Sequence, residues 1–224
     1  MESSLVFMGK SAVIPMLIFF LFQSCAKCEP DKYGENLVLI VPMTTTPAED
    51  SLSLGDTLWI DVHIDKDVSI VNSDKTIRLD SFNFFTELFI SEISGTEEDY
   101  YTPIDTFVVK GKLHYLPLPT ALAYPVIYEE NPDYYVFNVG IVPKERGLYW
   151  IGFSSHIKVL EAYDHPAMYL CEGNRRDDVR IQYQNSSTNQ DNFESIFKRT
   201  EVSYLQNVQY EDFAGVGSVA LVVY

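Results

Sequence analysis

Alternation of apolar and polar residues with a period of two is the feature that most constrains this chain of 224 residues. It is clearest in residues 55–65, "GDTLWIDVHID", where one set is aliphatic and the other is mostly polar: Leu58, Ile60, Val62 and Ile64 against Trp59, Asp61, His63 and Asp65. Because successive side chains of a strand point to opposite faces of a sheet, this pattern predicts a half-buried strand after the Gly55-Asp56 turn.

Further segments rich in β-branched and aromatic residues are separated by clusters of Gly, Pro, Asn and Asp that favour turns. The predicted strands are Leu37–Val41, Phe82–Ile93, Thr106–Leu116, Tyr134–Val142, Gly147–Ser154, Val179–Tyr183 and Gly217–Tyr224. The sequence therefore predicts a protein that is mainly β.

Two of these strands, Tyr134–Val142 and Gly147–Ser154, are predicted to form a hairpin. Pro143 fixes the backbone for a turn, and Gly147 tolerates the positive φ that would close it. A short connection of this kind suits a β-hairpin.

One segment, Asp191–Thr200, has helical periodicity instead, because Phe193, Ile196 and Phe197 are spaced i, i+3, i+4. We expect a short helix there, packed across one open end or edge of the sheets.

About eight strands and one helix predict a two-layer antiparallel β-sandwich, immunoglobulin-like or related, as a single domain over residues 36–224. Hydrophobic residues make up 46% of the chain and aromatic residues 14%, which is enough for a sizeable core.

The N-terminal part contains an apolar run from Ala12 to Phe22. A membrane-spanning helix needs about 20 such residues, whereas a run of roughly 10 to 14 is typical of a signal peptide. We therefore expect a signal peptide over residues 1–24 and a tether over residues 25–35.

The end of this region, Leu21-Phe22-Gln23-Ser24-Cys25, resembles the lipobox of bacterial lipoproteins, in a looser form found in the Bacteroidota. In that family the cysteine receives diacylglycerol and becomes the first residue after cleavage. The resemblance implies that Cys25 is the lipid attachment site and that its lipid holds the protein to a membrane. Ala26 in the next position implies sorting to the outer membrane, with the membrane face left open.

Two further motifs, Gly55–Trp59 and Pro143–Tyr149, resemble strands of uncharacterised lipoproteins of the Bacteroidota. This resemblance implies the same fold and location in the cell envelope, and it implies no activity.

The formal net charge is −16, and cleavage after residue 24 leaves it unchanged because it removes Glu2 and Lys10. Such a surface repels nucleic acid, whose binding depends on Lys and Arg. The expected partners are therefore a membrane and a glycan or protein of the envelope, without nucleic acid.

Lipidation of Cys25 would leave Cys28 and Cys171. Outside the cytoplasm they can form a disulfide that closes a long loop, or they can remain two separate thiols. Sequence leaves both states open, since bridging depends on the distance between the two Cα atoms.

Tyrosines surround the Pro-rich segment Leu116–Pro125, and they are candidates for stacking against a glycan or a peptide: Tyr100, Tyr101, Tyr124, Tyr128, Tyr134 and Tyr135. The alternative, which we favour, is that adjacent tyrosines place one ring in the core and the other at its rim.

Polar clusters give little support to a cofactor. Asp61, His63 and Asp65 share a strand face and could surround a cation, but such residues also make an ordinary solvent-exposed face. The acidic loops lack the spacing of an EF-hand. We predict neither a metal nor another cofactor.

Enzyme signatures such as a Gly-x-Ser-x-Gly elbow or a phosphate-binding glycine loop are absent from the sequence. The predicted function is a non-catalytic, lipid-anchored envelope protein that acts as a binding or assembly module. The alternative is a lipid-anchored glycan hydrolase that uses paired carboxylates. Its candidate carboxylates are Asp61, Glu87, Glu129 and Asp133.

Overall fold

The computed structural model describes most of the chain from Lys32 onwards. The described residues are 32–71, 73–84, 86–94, 104–114, 123–154, 169–172, 175–186, 190–197, 199–202 and 205–224.

Strands dominate the described part of the chain. They are β1 (Lys32–Thr46), β2 (Ser51–Leu52), β3 (Leu58–Asp65), β4 (Asp67–Ser69), β5 (Thr76–Arg78), β6 (Thr86–Glu92), β7 (Ile104–Lys110), β8 (Lys112–Leu113), β9 (Ala123–Ile127), β10 (Glu129–Glu130), β11 (Tyr134–Pro143), β12 (Gly147–Ser154), β13 (Tyr169–Glu172), β14 (Arg175–Asn185) and β15 (Val219–Val223). Two short helices, α1 (Gln190–Phe197) and α2 (Tyr210–Gly215), and a 3₁₀ turn at Leu205–Asn207 precede β15.

The strands form two main sheets and one small hairpin. Sheet I has the order β10-β11-β3-β1-β14-β13, with β7 also paired to β11, and sheet II has the order β2-β15-β12-β6-β9-β8. Strands β4 and β5 pair with each other. Most pairs are antiparallel, but β1 runs parallel to β14, and β15 runs parallel to β2. The predicted mainly β sandwich is confirmed, and its description as antiparallel is corrected for these two pairs.

The core lies between the two sheets. Ile60 and Val62 of β3 are fully buried, whereas the alternate residues Asp61 and His63 are exposed, as the period-two pattern predicts. Across the interior, the ring of Phe137 in β11 meets that of Phe153 in β12 at a centroid distance of 6.2 Å.

Strands β11 and β12 do not form the predicted hairpin. β11 pairs with β3 and β7 in sheet I, whereas β12 pairs with β6 and β15 in sheet II. The segment from Pro143 to Gly147 therefore crosses the sandwich, and Gly147 does not adopt the expected positive φ. Turn residues predict where a chain reverses, but long-range pairing decides which strand becomes the neighbour.

A hydrogen bond within this crossing holds the corner. The Tyr149 hydroxyl donates to the carbonyl oxygen of Glu145 at 2.9 Å, in the manner of the tyrosine corner of immunoglobulin-type sandwiches. Burial raises the pKa of Tyr149 to about 12, so its hydroxyl keeps the proton that it donates.

The helices cover the outer face of sheet II. Helix α1 packs on β15, and a second apolar cluster fills the space between the helices and the sheet. The cluster comprises Ile93, Leu148, Ile196, Phe197, Val202, Leu205, Phe213 and Ala220. The predicted helix is present at Gln190–Phe197, but it covers a sheet face rather than an end or edge, and the sequence pattern does not predict α2. The apolar run of β15, buried on both faces, explains this placement.

Strand β1 begins at Lys32 and includes residues 32–35, which the sequence assigns to the tether. The folded domain therefore starts earlier than residue 36, and the predicted tether boundary is corrected.

Gly111 lets the chain change sheets between β7 and β8. It has a positive φ of 79°, and a Cβ there would lie 2.5 Å from the Ile127 carbonyl oxygen and 2.8 Å from Cδ2 of Phe137. A side chain at this position would thus strain the backbone and collide with the core.

Replacing Gly111 with Ala should destabilise the protein more than replacing Gly55, which also has a positive φ but where an added Cβ would meet no atom within 4 Å. We expect Gly55→Ala to cost about 1–2 kcal/mol for its backbone conformation alone. Gly111→Ala should cost about 1–3 kcal/mol more because of the collision. Urea denaturation of the full chain, followed by tryptophan fluorescence, measures both values, and equal losses would contradict this assignment.

Candidate functional site

Among the described residues, the outer face of sheet I is open at β1 and β3, although α2 contacts β14 of the same sheet, whereas both helices cover the outer face of sheet II. Pro42, Thr44 and Thr46 of β1 are exposed on this face, as are Asp61 and His63 of β3. Within the described residues, no helix packs over these strands.

An aromatic row crosses four strands on this open face. Thr46 of β1 pairs with Trp59 of β3, Trp59 pairs with Gly140 of β11, and Gly140 pairs with Phe107 of β7. We call Thr46, Trp59, Gly140 and Phe107 the aromatic row. Neighbouring strands lie about 4.8 Å apart, so the backbones of Trp59 and Phe107 are separated by about 10 Å.

Gly140 lies between the two aromatic residues, beneath the Trp59 indole. A Cβ at this position would lie 2.9 Å from Cζ3 of Trp59 and 2.9 Å from Cγ2 of Thr57, so the indole packs directly over the glycine backbone. Phe107 lies on the opposite side of the glycine, and 53% of its surface is exposed. A glycine is required here because the ring occupies the space of a side chain.

A polar row runs beside the aromatic row, two residues away along β1, β3 and β11 and three residues away along β7, where the register shifts. Thr44 pairs with Asp61, Asp61 pairs with Asn138, and Asn138 pairs with Lys110. The Asn138 amide donates a hydrogen bond to the Asp61 carboxylate, and the Lys110 ammonium lies 3.3 Å from Oε1 of Glu129. We call Thr44, Asp61, Asn138 and Lys110 the polar row, and it lies about 7 Å from the aromatic row.

His63 and Tyr134 lie on the same outer face of sheet I, further along β3 and β11 from the aromatic row. Their rings stack with a centroid distance of 4.6 Å, and His63 Nε2 lies 3.3 Å from Oδ1 of Asp65. Tyr134 is half-buried at the rim of the core, whereas its neighbour Tyr135 is buried, which confirms the favoured interpretation for this pair.

Two of the other tyrosines suggested for stacking are buried. Tyr128 and Tyr135 are buried in the main core, so the stacking prediction is wrong for both. Tyr124 is half-buried against the core. Tyr100 and Tyr101 lie outside the described residues.

Tyr128 takes part in a buried chain of hydroxyl groups. Its hydroxyl lies 2.8 Å from that of Tyr183, which in turn is hydrogen-bonded to Thr86. Desolvation raises the pKa of Tyr128 and of Tyr183 well above the usual value of a tyrosine. These hydroxyls therefore stay protonated and satisfy one another in the core.

Tyr135 belongs to an ion-pair network at the opposite end of the sandwich from the aromatic row. The Lys66 ammonium, on a side chain only 7% exposed, lies 2.6 Å from Oε1 of Glu130 and 5.3 Å from the centre of the Tyr135 ring. The Glu130 carboxylate also accepts a hydrogen bond from the backbone N–H of Ser81. These contacts join the segment before β6 to the start of β11.

The suggested catalytic carboxylates do not all lie on one sheet. Asp61 lies on the outer face of sheet I, whereas Glu87 lies on β6 of sheet II and points away from the core, because its neighbours Thr86 and Leu88 point into it. Glu129 contacts Lys110, and Asp133 is exposed in the turn before β11. The sandwich therefore separates Asp61 from Glu87.

The described residues contain no group of three or more His, Cys, Asp or Glu side chains placed to hold a metal ion. No helix among them is long and apolar enough to cross a membrane. The signal peptide over residues 1–24, the lipid site Cys25 and the tether residue Cys28 lie outside the described residues. Cys171 lies on β13, where its backbone pairs with Arg176. Its disulfide to Cys28 stays a prediction.

Comparisons of the chain with protein-family models, with curated proteins and with solved structures found no match. The candidate site is therefore identified from the geometry alone.

Sequence reasoning missed most of the two rows. Phe107, Gly140 and Lys110 become neighbours of Trp59 and Asp61 only through pairing between strands that are distant in the sequence. The available signal was Trp59 itself, a large aromatic residue in the polar set of an amphipathic strand.

Replacing Glu130 with Gln should change how stability depends on pH. The hydrogen bond from Lys66, and then that from the Ser81 N–H, lower the pKa of Glu130 below its ordinary value of 4.5. A carboxyl with a lowered pKa in the folded state stabilises the protein above the ordinary pKa, and this contribution is lost as the pH falls through the folded pKa. Glu130→Gln should therefore lower stability at neutral pH and reduce the additional loss on acidification.

Urea denaturation at a series of pH values measures this effect. In a Lys66→Met background the same replacement should change the profile less, because the principal hydrogen bond is already absent. Identical acid profiles for the wild type and Glu130→Gln would contradict the prediction.

Proposed function

We propose that the protein is a non-catalytic, lipid-anchored binding module of the cell envelope that holds its ligand on the open face of sheet I. The observation that carries this proposal is the difference between the two sheets. Sheet II buries its outer face beneath α1 and α2, whereas sheet I presents the aromatic row and the polar row to solvent.

Part of the aromatic row is exposed to solvent. Trp59 covers Gly140, but Phe107 remains 53% exposed beside Val109, which is also exposed. Exposed apolar side chains that cluster at one place on a surface are typical of a binding site. Phe107 belongs to this kind of cluster.

Strand β1 starts at the opposite end of the sandwich from the aromatic row. Lipidated Cys25 would precede β1, which starts at Lys32 and ends at Thr46 in the aromatic row. At about 3.3 Å per residue, a strand of 15 residues spans about 45–50 Å. The aromatic row would then face away from the membrane, where a ligand can reach it.

The charge of the chain supports the same arrangement. A net charge of −16 disfavours contact between the domain and anionic headgroups, so the domain would stand off the membrane that holds it. The outer membrane is the location that we propose for it.

The placement of Asp61 and Glu87 disfavours a catalytic pair formed by these two carboxylates. Glycosidases need two carboxyl groups about 5–10 Å apart on either side of the scissile bond. Asp61 and Glu87 lie on different sheets and point away from each other, and Asp61 is engaged by Asn138. No observation on the described residues favours the hydrolase alternative.

Metabolic labelling with an alkyne fatty acid tests the anchor. Wild-type protein should carry the label and fractionate with membranes, and Cys25→Ala should lose both the label and the membrane association. Cys28→Ala is the matched control, because it removes a neighbouring thiol and should keep the label. Equal labelling of the wild type and Cys25→Ala would contradict the proposal.

A further inference from the structure

We infer that the aromatic row and the polar row together form a binding site for a neutral saccharide chain that lies across the strands of sheet I. This inference depends on the proposed function, because it names the class of ligand for the same open face.

The aromatic row supplies two aromatic rings, and the Trp59 indole covers Gly140, which lies between Trp59 and Phe107. Trp59 and Phe107 lie two strands apart, at about 10 Å, and Gly140 between them carries no side chain. One face of a pyranose ring presents mainly C–H bonds, which pack against an aromatic ring and exclude water from it. A short run of sugar rings would stack on the Trp59 indole, where it covers the glycine, and on Phe107 beside it.

The polar row supplies the hydrogen-bonding groups that sugar hydroxyls require. Asp61 accepts hydrogen bonds, Asn138 both donates and accepts them, and Thr44 carries a hydroxyl. The hydrogen bond from Asn138 to Asp61 holds the amide and carboxylate side by side before a ligand arrives. Adjacent hydroxyls on one sugar would therefore meet an acceptor and an amide that are already oriented.

The charge of the site selects among saccharides. Asp61 and Asp65 lie on this face, whereas Asp105, on the same strand as Phe107, is paired with Lys144, and Glu129 contacts Lys110 of the polar row. Together with the net charge of −16, these carboxylates would repel a polyanionic glycan. A neutral chain meets no such repulsion.

An extended peptide is a weaker fit to the same surface. Peptides that add a strand to a sheet bond to the backbone of an edge strand, whereas Trp59 and Gly140 lie on strands paired on both sides. The edge strand β7 has an irregular register opposite Asn138 and Val139, and Lys110 follows that irregularity. Such features discourage strand addition.

Affinity electrophoresis of the full chain, purified in detergent, tests the inference. Native gels would contain a soluble neutral β-glucan, galactomannan, xylan or starch, and a parallel gel would contain the anionic polygalacturonate. We expect at least one neutral polysaccharide to retard the protein more than polygalacturonate does. Absence of retardation by every neutral polysaccharide, or stronger retardation by the anionic one, would overturn the inference.

Two variants locate the binding to the aromatic row. Phe107→Ala and Trp59→Ala should each weaken the measured affinity about tenfold, and Phe107→Ala should fold normally because its ring is largely exposed. Tyr224→Ala is the matched control, since Tyr224 is an aromatic residue that is 62% exposed and lies outside the row. It should bind as the wild type does, and equal binding by Phe107→Ala and the wild type would overturn the inference.

The result of fatty-acid labelling separates this inference from the proposed function. If Cys25→Ala loses the label but no neutral polysaccharide retards the wild type, lipidation at Cys25 is supported and the inference of a saccharide ligand is wrong. If the label does not depend on Cys25, the anchor fails whatever the electrophoresis shows.

Discussion

The apolar faces of β11 and β12 pack against each other across the sandwich because the chain crosses from one sheet to the other between Pro143 and Gly147. This crossing places Phe137 against Phe153 in the core, and the hydrogen bond from Tyr149 to Glu145 holds the corner in place. After this crossing, β11 and β12 have different neighbouring strands. β3 and β7 take their places beside β11, and β6 and β15 take theirs beside β12. Another change of sheet, at Gly111, connects β7 to β8.

The same arrangement gives the molecule two unlike outer faces. The strands β12 and β15 are apolar on both sides, so their outer face needs cover, and Phe197 and Phe213 of the helices provide it. Buried and less buried residues alternate along β3, so on its outer face Asp61 is exposed and Trp59 is half-buried. The difference between covered and open faces thus follows from the period of the hydrophobic pattern. It also leaves one ordered surface free for a ligand.

The elements of the fold were predictable from sequence to the extent that their signals are local. The alternation in β3 and the i, i+3, i+4 spacing of Phe193, Ile196 and Phe197 both predicted the observed structure. The partners of the strands were not predictable in this way, because the turn at Pro143–Gly147 fits a hairpin as well as a crossing between sheets. For the same reason the candidate site was largely missed. Phe107 and Gly140 become its members through long-range pairing, whereas the tyrosine stacking hypothesis included Tyr128 and Tyr135, which tertiary packing places in the core.

Hydroxyl-radical footprinting of the folded full chain, with mass spectrometry, tests the difference between the two faces most directly. If sheet I is open and sheet II is covered, Phe107 should be oxidised rapidly, whereas Phe197 and Phe213 should be protected until the protein is unfolded. Oxidation of Phe213 as fast as that of Phe107 in the folded protein would contradict this account.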